Sequence, residues 1–256
     1  MQLGLVTYNL AKDWDVPTLI EKCRQAGFEG VELRATHAHG VEPALSAAAR
    51  REVRARFADS GVVLWGLGSV CEYHSPDPAV LRQNIETTRA FVALAADVGA
   101  RGVKVRPNGL AVEKGVPEAE TLAQIGRALR ECGAFAAGAG IEIWLEVHGR
   151  DTAHPPRIRA ILDHCAHPAV GVCWNSNPAD VKEGSIKEHF ALLARDIKSA
   201  HVNDLWNEAY PWAELFAEFR RVGYDRFTLA EVSAPAGTDR DEYMRRYRAR
   251  WEALQG

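Results

Sequence analysis

One junction recurs along the chain: an amphipathic stretch closes on glycine, and a short apolar run follows at once. It reads Ala26-Gly27-Phe28-Glu29-Gly30-Val31, Ser60-Gly61-Val62-Val63, Val98-Gly99-Ala100-Arg101-Gly102-Val103, Ala139-Gly140-Ile141-Glu142-Ile143 and Val222-Gly223-Tyr224-Asp225-Arg226-Phe227. Glycine is favoured just past a helix because it tolerates the left-handed conformation that ends one, so each junction predicts a helix-to-strand turn. The preceding stretches agree. Val16, Leu19, Ile20 and Cys23 fall at i, i+3, i+4 and i+7, as do Ile158, Ile161, Leu162 and Cys165, which puts each set on one helix face. Asp77-Pro78 predicts a helix start, with Asp as N-cap and Pro in the first turn. The pattern predicts strands near 3–9, 30–35, 62–70, 102–107, 141–148, 170–175, 197–203 and 227–233. Helices are expected near 16–26, 47–60, 78–98, 117–139, 156–166, 185–195, 211–222 and 239–254.

Eight β-then-α units in 256 residues is the pattern of a closed parallel (β/α)₈ barrel, the TIM barrel. An open doubly wound sheet also alternates strands and helices, but usually carries a glycine-rich nucleotide loop after its first strand. Here that place reads Thr7-Tyr8-Asn9-Leu10-Ala11-Lys12, without glycine. No linker, charge block or low-complexity run divides the chain, so one α/β barrel domain over 1–256 is expected.

Composition narrows the class further. Hydrophobic residues at 47% and charged residues at 25% suit a globular protein with a large core. A net charge of −3 supplies no overall basic field to attract nucleic acid. The five cysteines are odd in number and form no CxxC, so neither a disulfide framework nor a zinc ribbon is expected; buried reduced thiols are. The chain begins without a basic leader, and no segment approaches the roughly 20 apolar residues of a membrane span. A cytoplasmic protein with no membrane partner is the expectation.

A parallel barrel strand is covered on both sides and should be mostly apolar, so ionisable groups near its C-terminal end ask for a reason. Five strands end this way: Val31-Glu32-Leu33-Arg34, Val103-Lys104-Val105-Arg106, Leu145-Glu146-Val147-His148, Ala200-His201-Val202-Asn203 and Ala230-Glu231-Val232-Ser233. Alternation sets each polar pair on one face of its strand, and the apolar residues between them meet the helices. The polar face is then the barrel interior and mouth. Charges there must pair with one another or hold an ion. Two carboxylates and an imidazole suit a divalent cation such as Mn²⁺, Mg²⁺ or Zn²⁺. A salt-bridge ring pairing Glu32, Glu146 and Glu231 with Arg34, Lys104 and Arg106 satisfies the same constraint, and spacing leaves both open.

The strand ends Leu145-Glu146-Val147-His148, Ala200-His201-Val202-Asn203-Asp204 and Leu229-Ala230-Glu231-Val232 resemble the xylose isomerase-like TIM barrels. This group includes sugar phosphate isomerases and epimerases, ketose 3-epimerases, hydroxypyruvate isomerase and the endonuclease IV type. The likeness covers the whole chain. It implies a metal set of Glu146, Asn175, His201 and Glu231, with Glu146 and Glu231 also serving as acid and base. The departure is Asn175, which stands where the family carries Asp; an Asn carbonyl ligates a hard cation but adds no charge, so a weakly held ion is expected.

The implied reaction is isomerisation or epimerisation of a sugar, sugar acid or sugar phosphate, by proton transfer between the two glutamates through an enediolate. A lyase acting on oxidised sugars or glycosides is a second enzyme class, and a degenerate carbohydrate-binding barrel without catalysis is a third reading, motivated by Asn175. A nuclease is disfavoured: strand four carries Arg106 where the trinuclear zinc type needs His, and His37, His39 and His74 read as loop residues. Glu32, Lys104, Arg106, His148 and Trp206 are the expected substrate contacts: His148 for a hydroxyl, Lys104 and Arg106 for a phosphate or carboxylate, Trp206 to stack on a sugar ring. Barrels of this kind often pair, so a homodimer is a further expectation. Trp174 should point outward beneath a helix, because its neighbour Asn175 points in.

Overall fold

The computed structural model describes residues 1–256. Its strands and helices alternate from end to end. The first half runs β1 (Gln2–Val6), α1 (Val16–Ala26), β2 (Gly30–Arg34), α2 (Ala47–Ser60), β3 (Val63–Glu72), α3 (Pro78–Val98), β4 (Gly102–Arg106) and α4 (Glu118–Gly138). The second runs β5 (Glu142–Glu146), α5 (Pro155–Cys165), β6 (Val170–Asn175), α6 (Lys187–Leu193), β7 (Ile197–Val202), α7 (Trp212–Arg221), β8 (Phe227–Ala230) and α8 (Arg240–Gln255). The strands lie in sequence order, every pair is parallel, and β1 closes on β8. This is the expected (β/α)₈ barrel.

The local signals act where the sequence places them. Asp15 and Asp77 accept backbone N–H groups of Thr18 and Ala79 at 2.9 and 2.8 Å, capping α1 and α3. Gly27 and Gly99 end the same two helices at φ 72° and 82°, a region other residues enter only with strain. The predicted ends shift in a few places. β3 runs on to Glu72, β1 stops at Val6, and β8 stops at Ala230, so that Glu231 lies just past its strand with its N–H bonded to the Val202 carbonyl.

Apolar strand residues face the helices as the alternation requires. Leu145, Val147 and Trp174 are fully buried there, and Trp174 packs on Phe190 of α6 while its indole N–H donates to the Tyr210 hydroxyl. All five cysteines are buried and free. No helix is long and apolar enough to cross a membrane.

The interior is filled differently at its two ends. At the N-terminal end two tryptophans form a floor. The register of β3 against β2 skips one residue between Leu64 and Gly66, and the extra residue, Trp65, stacks on Trp144 at 5.1 Å. Gly66 and Gly102 make room for the Trp144 ring, since a Cβ at either would sit 2.5 or 2.4 Å from it. Glu142 accepts the Trp144 indole N–H at 2.9 Å and two Arg226 N–H groups at 2.7 and 3.0 Å. Burial raises the Glu142 carboxyl, but the Arg226 guanidinium and the indole outweigh it and bring it from 4.5 to about 2.

A depressed carboxylate contributes stability above its unfolded value and loses it as the pH falls toward its folded value. Glu142→Gln is therefore expected to destabilise the fold by about 1–2 kcal/mol at pH 7, after allowance for solvent screening. The difference should narrow as the pH drops below about 4.5, which urea unfolding at several pH values would measure.

Candidate active site

Above that floor, β2, β4, β5, β6 and β7 each turn one polar side chain inward: Glu32, Lys104, Glu146, Asn175 and His201, all buried. Asn175 pairs with His201 across β6 and β7, while Glu146 pairs with Cys173, two residues before Asn175, and meets the Asn175 amide through its side chain. Glu231 joins them from the residue after β8.

The contacts form a chain. The Lys104 ammonium donates to Glu146 Oε2 at 2.9 Å, and the Asn175 amide donates to Glu146 Oε1 at 3.2 Å. His201 Nε2 lies 3.2 Å from Glu32 Oε2, which as a carboxylate only accepts, so Nε2 carries the proton there. Glu32 fits because β3 carries glycine beside its carboxylate; a Cβ at Gly68, the partner of Arg34, would lie 2.7 Å from Glu32 Oε1. His201 Nδ1 is 3.3 Å from Glu146 Oε1 and 3.6 Å from Glu231 Oε2, yet hydrogen-bonds to neither.

Burial alone would raise the Glu146 carboxyl, but the Lys104 ammonium and His201 hold it well below the usual carboxylate range. Burial works against a charged His201, and the Cys173 sulfur and the Glu32 and Glu231 carboxylates overcome it, lifting the imidazole well above its usual value. Lys104 is raised likewise: desolvation opposes its charge, while Glu146 and Glu32 favour it.

Three observations test whether a cation fits here. One ligand atom each from Glu146, His201 and Glu231 lies within 4.8 Å of the others. His201 Nδ1 and Asn175 Oδ1 are buried without a hydrogen-bond partner. Buried polar atoms are nearly always paired, so two such atoms beside two carboxylates make a donor set suited to a divalent ion. The expected charge ring is only partly present. Lys104 pairs with Glu146, whereas Arg34 lies over the Tyr8 ring at 5.2 Å and Arg106 donates to Glu72 at 2.8 Å.

The remaining candidates surround this centre. Glu32 is fully buried and touches His201, away from the open mouth. His148 is half-buried, with Nδ1 at 3.1 Å from Asn108 Oδ1; desolvation keeps its imidazole below the ordinary value against the pull of Glu146. His37 and His39 lie in the loop after β2, where His39 is tied to the Arg34 carbonyl at 2.8 Å. Trp206, 38% exposed, leans on Tyr243 of α8 and forms one wall of a cavity of about 490 Å³. Glu231 opens into this cavity, together with Tyr8, Ser233 and Arg246. Sequence reasoning missed Tyr243 and Arg246, since nothing on an ordinary surface helix marks the face that reaches the mouth. It also missed Glu72 and Asn108; the turn signal Pro107-Asn108-Gly109 was the available clue to the latter.

An acidic and imidazole centre at the C-terminal end of a closed parallel barrel defines a class of barrel protein with its site on that rim. The chain belongs to the xylose isomerase-like TIM barrel family, whose profile matches residues 20–253. Among solved structures, a D-psicose 3-epimerase in the presence of D-fructose superposes with a TM-score of 0.84 at 18% identity, covering 100% of both chains. A 3-keto-D-glucoside 4-epimerase from E. coli gives 0.80 at 15% identity, over 100% of this chain and 99% of the other. The IolI protein with a bound zinc atom gives 0.82 at 14% identity, over 100% and 98%. No curated protein sequence matches the chain.

Removing one partner of a buried ion pair strands the other charge. Lys104→Met is expected to lower the unfolding free energy by about 3–5 kcal/mol. Denaturant unfolding measures it; a loss below about 1 kcal/mol would show that Glu146 is not held by Lys104.

Proposed function

We propose that the chain is a metal-dependent isomerase or epimerase of a small carbohydrate. The observation that carries this reading is the meeting of Glu146, His201 and Glu231 around unpartnered donor atoms, beside a cavity with an aromatic wall. The sugar epimerases among the similar structures point the same way.

Glu146, Asn175, His201 and Glu231 would hold the ion, and Glu32 would orient His201 so that Nδ1 faces it. A divalent ion there supplies Lewis-acid polarisation of a substrate carbonyl. The protein's own groups do the rest. Glu231 opens into the cavity and, unlike Glu146, carries no lysine partner, so it is the base that takes the proton beside the carbonyl. Glu146, across the centre, passes to the enediolate a proton drawn from the Lys104 ammonium that donates to it, and solvent restores Lys104 as Glu231 gives up its own proton. Whether that proton goes back to the same carbon or its neighbour separates epimerase from isomerase. Trp206 offers its face to the C–H side of a sugar, His148 meets a hydroxyl, and Lys104 and Arg106 donate to Glu146 and Glu72.

Asn175 has a specific consequence. Without a third carboxylate, and with Lys104 already neutralising Glu146, the ion is held weakly. Asn175→Asp is expected to tighten Mn²⁺ binding by about tenfold or more, measured by calorimetric titration, because charge count sets affinity at oxygen-rich sites. Unchanged affinity would remove residue 175 from the ligand set.

The activity test is a panel of ketoses and 3-keto glycosides in D₂O with Mn²⁺ present. Deuterium should enter beside the carbonyl in the wild type, and Glu231→Gln or Glu146→Gln should slow this by about 10²–10⁴. Exchange that survives either substitution would overturn the two-glutamate mechanism. Elimination products in place of exchange would identify a lyase, and sugar binding without either would mark a non-catalytic barrel.

A further inference from the structure

On the side of the mouth away from Trp206, the ends of β3, β4 and β5 carry a second hydrogen-bonded chain that the proton transfer does not use. Glu72 Oε1 accepts from the Arg106 guanidinium and from the Asn108 amide, both at 2.8 Å. His148 Nδ1 stands 3.1 Å from Asn108 Oδ1. Asn108 adopts φ 63°, a left-handed backbone that a non-glycine residue takes only where its surroundings hold it. They do so closely: Asn108 bridges to Gly149, where a Cβ would lie 2.6 Å from the Asn108 backbone.

These contacts settle which atom donates in each bond. Glu72 is paired with Arg106 and acts as acceptor, so Asn108 must turn its NH₂ toward it; the flipped amide would set oxygen against oxygen. Asn108 Oδ1 then faces His148, and only an Nδ1–H can donate to it. The other ring nitrogen, Nε2, makes no hydrogen bond within the protein and is open to solvent. A neutral imidazole with its proton on Nδ1 has a bare lone pair on Nε2.

We infer that Glu72 and Asn108 are positioning residues which lock His148 in the Nδ1–H form, so that Nε2 accepts a hydrogen bond from a substrate hydroxyl. This rests on the carbohydrate reading above for its ligand, but not for its tautomer. It makes His148 a specificity residue of definite polarity: it accepts from O–H groups and discriminates against a carbonyl, carboxylate or phosphate oxygen at the same place. Sites built to bond a hydroxyl reject analogues that lack one, because the buried polar partner is left unpaired.

The test is long-range ¹H–¹⁵N NMR of protein labelled at histidine, with the His148 signals assigned by their absence in His148→Gln. The wild type should show a single His148 form, protonated at Nδ1 and bare at Nε2. Asn108→Gly, which keeps the left-handed backbone without strain, should lose that single form and give a mixture of tautomers. Adding D-psicose as the probe should shift the Nε2 signal far more than the Nδ1 signal. Tryptophan fluorescence, followed in parallel, reports sugar binding independently. A wild-type His148 protonated at Nε2, or an Asn108→Gly spectrum identical to wild type, overturns the proposal; if the variant does not fold, the wild-type spectrum alone decides. Bound sugar with an unmoved Nε2 overturns the acceptor role. Fluorescence unchanged by D-psicose, with the Nδ1–H form present, upholds the tautomer and counts against the carbohydrate reading instead.

Discussion

An ionised carboxylate stays ionised inside a barrel only if something pairs with it, and Glu146 is the group on which that constraint falls hardest. It is buried, it faces the interior, and it is held by Lys104 on one oxygen and Asn175 on the other. The rest of the centre follows from the same rule. His201 sits between Glu32 and the Glu146–Glu231 pair because each carboxylate needs a positive or hydrogen-bonding neighbour. Gly68 beside the Glu32 carboxylate, and the glycines against Trp144, provide the room these large polar and aromatic groups require.

The two glutamates that flank His201 are consequently unlike. Glu146 belongs to its strand and is held by a lysine and an amide, so its position is rigid. Glu231 lies one residue beyond β8, bonded through its backbone to β7, with its side chain open to the cavity. The barrel thus presents one anchored and one accessible carboxylate to the same centre. Lys104 and Asn175 shift the balance of charge in one direction. One adds a positive group and the other, as an amide, brings no negative one, so the centre carries less negative charge than an aspartate at 175 would give it.

The mouth is built from two further arrangements that share no residue. On one side an aromatic wall of Trp206 and Tyr243 frames the cavity beside Glu231; on the other, Arg106, Glu72, Asn108 and His148 form a polar relay. Lys104 and Arg106, two residues apart on β4, thus serve different partners. The alternation that put both on one face of the strand was correct, but height along the barrel axis decided that one meets Glu146 and the other Glu72.

The sequence by itself determined the barrel, its strand and helix order, and the inward set of Glu32, Lys104, Glu146, Asn175, His201 and Glu231. Those follow from signals carried within a few residues: glycine after a helix, an aspartate cap, a period of two along a strand. Tertiary structure alone decided who pairs with whom. Glu32 turned out to serve His201, Arg106 to serve Glu72, and an unremarked face of α8 to complete the wall behind Trp206. β3 reached Glu72 because its extra residue and late register shift extend it beyond its apolar run. Such pairings depend on which strands are neighbours, how far each rises, and where the ring closes. No local pattern encodes these, because they are properties of the closed barrel.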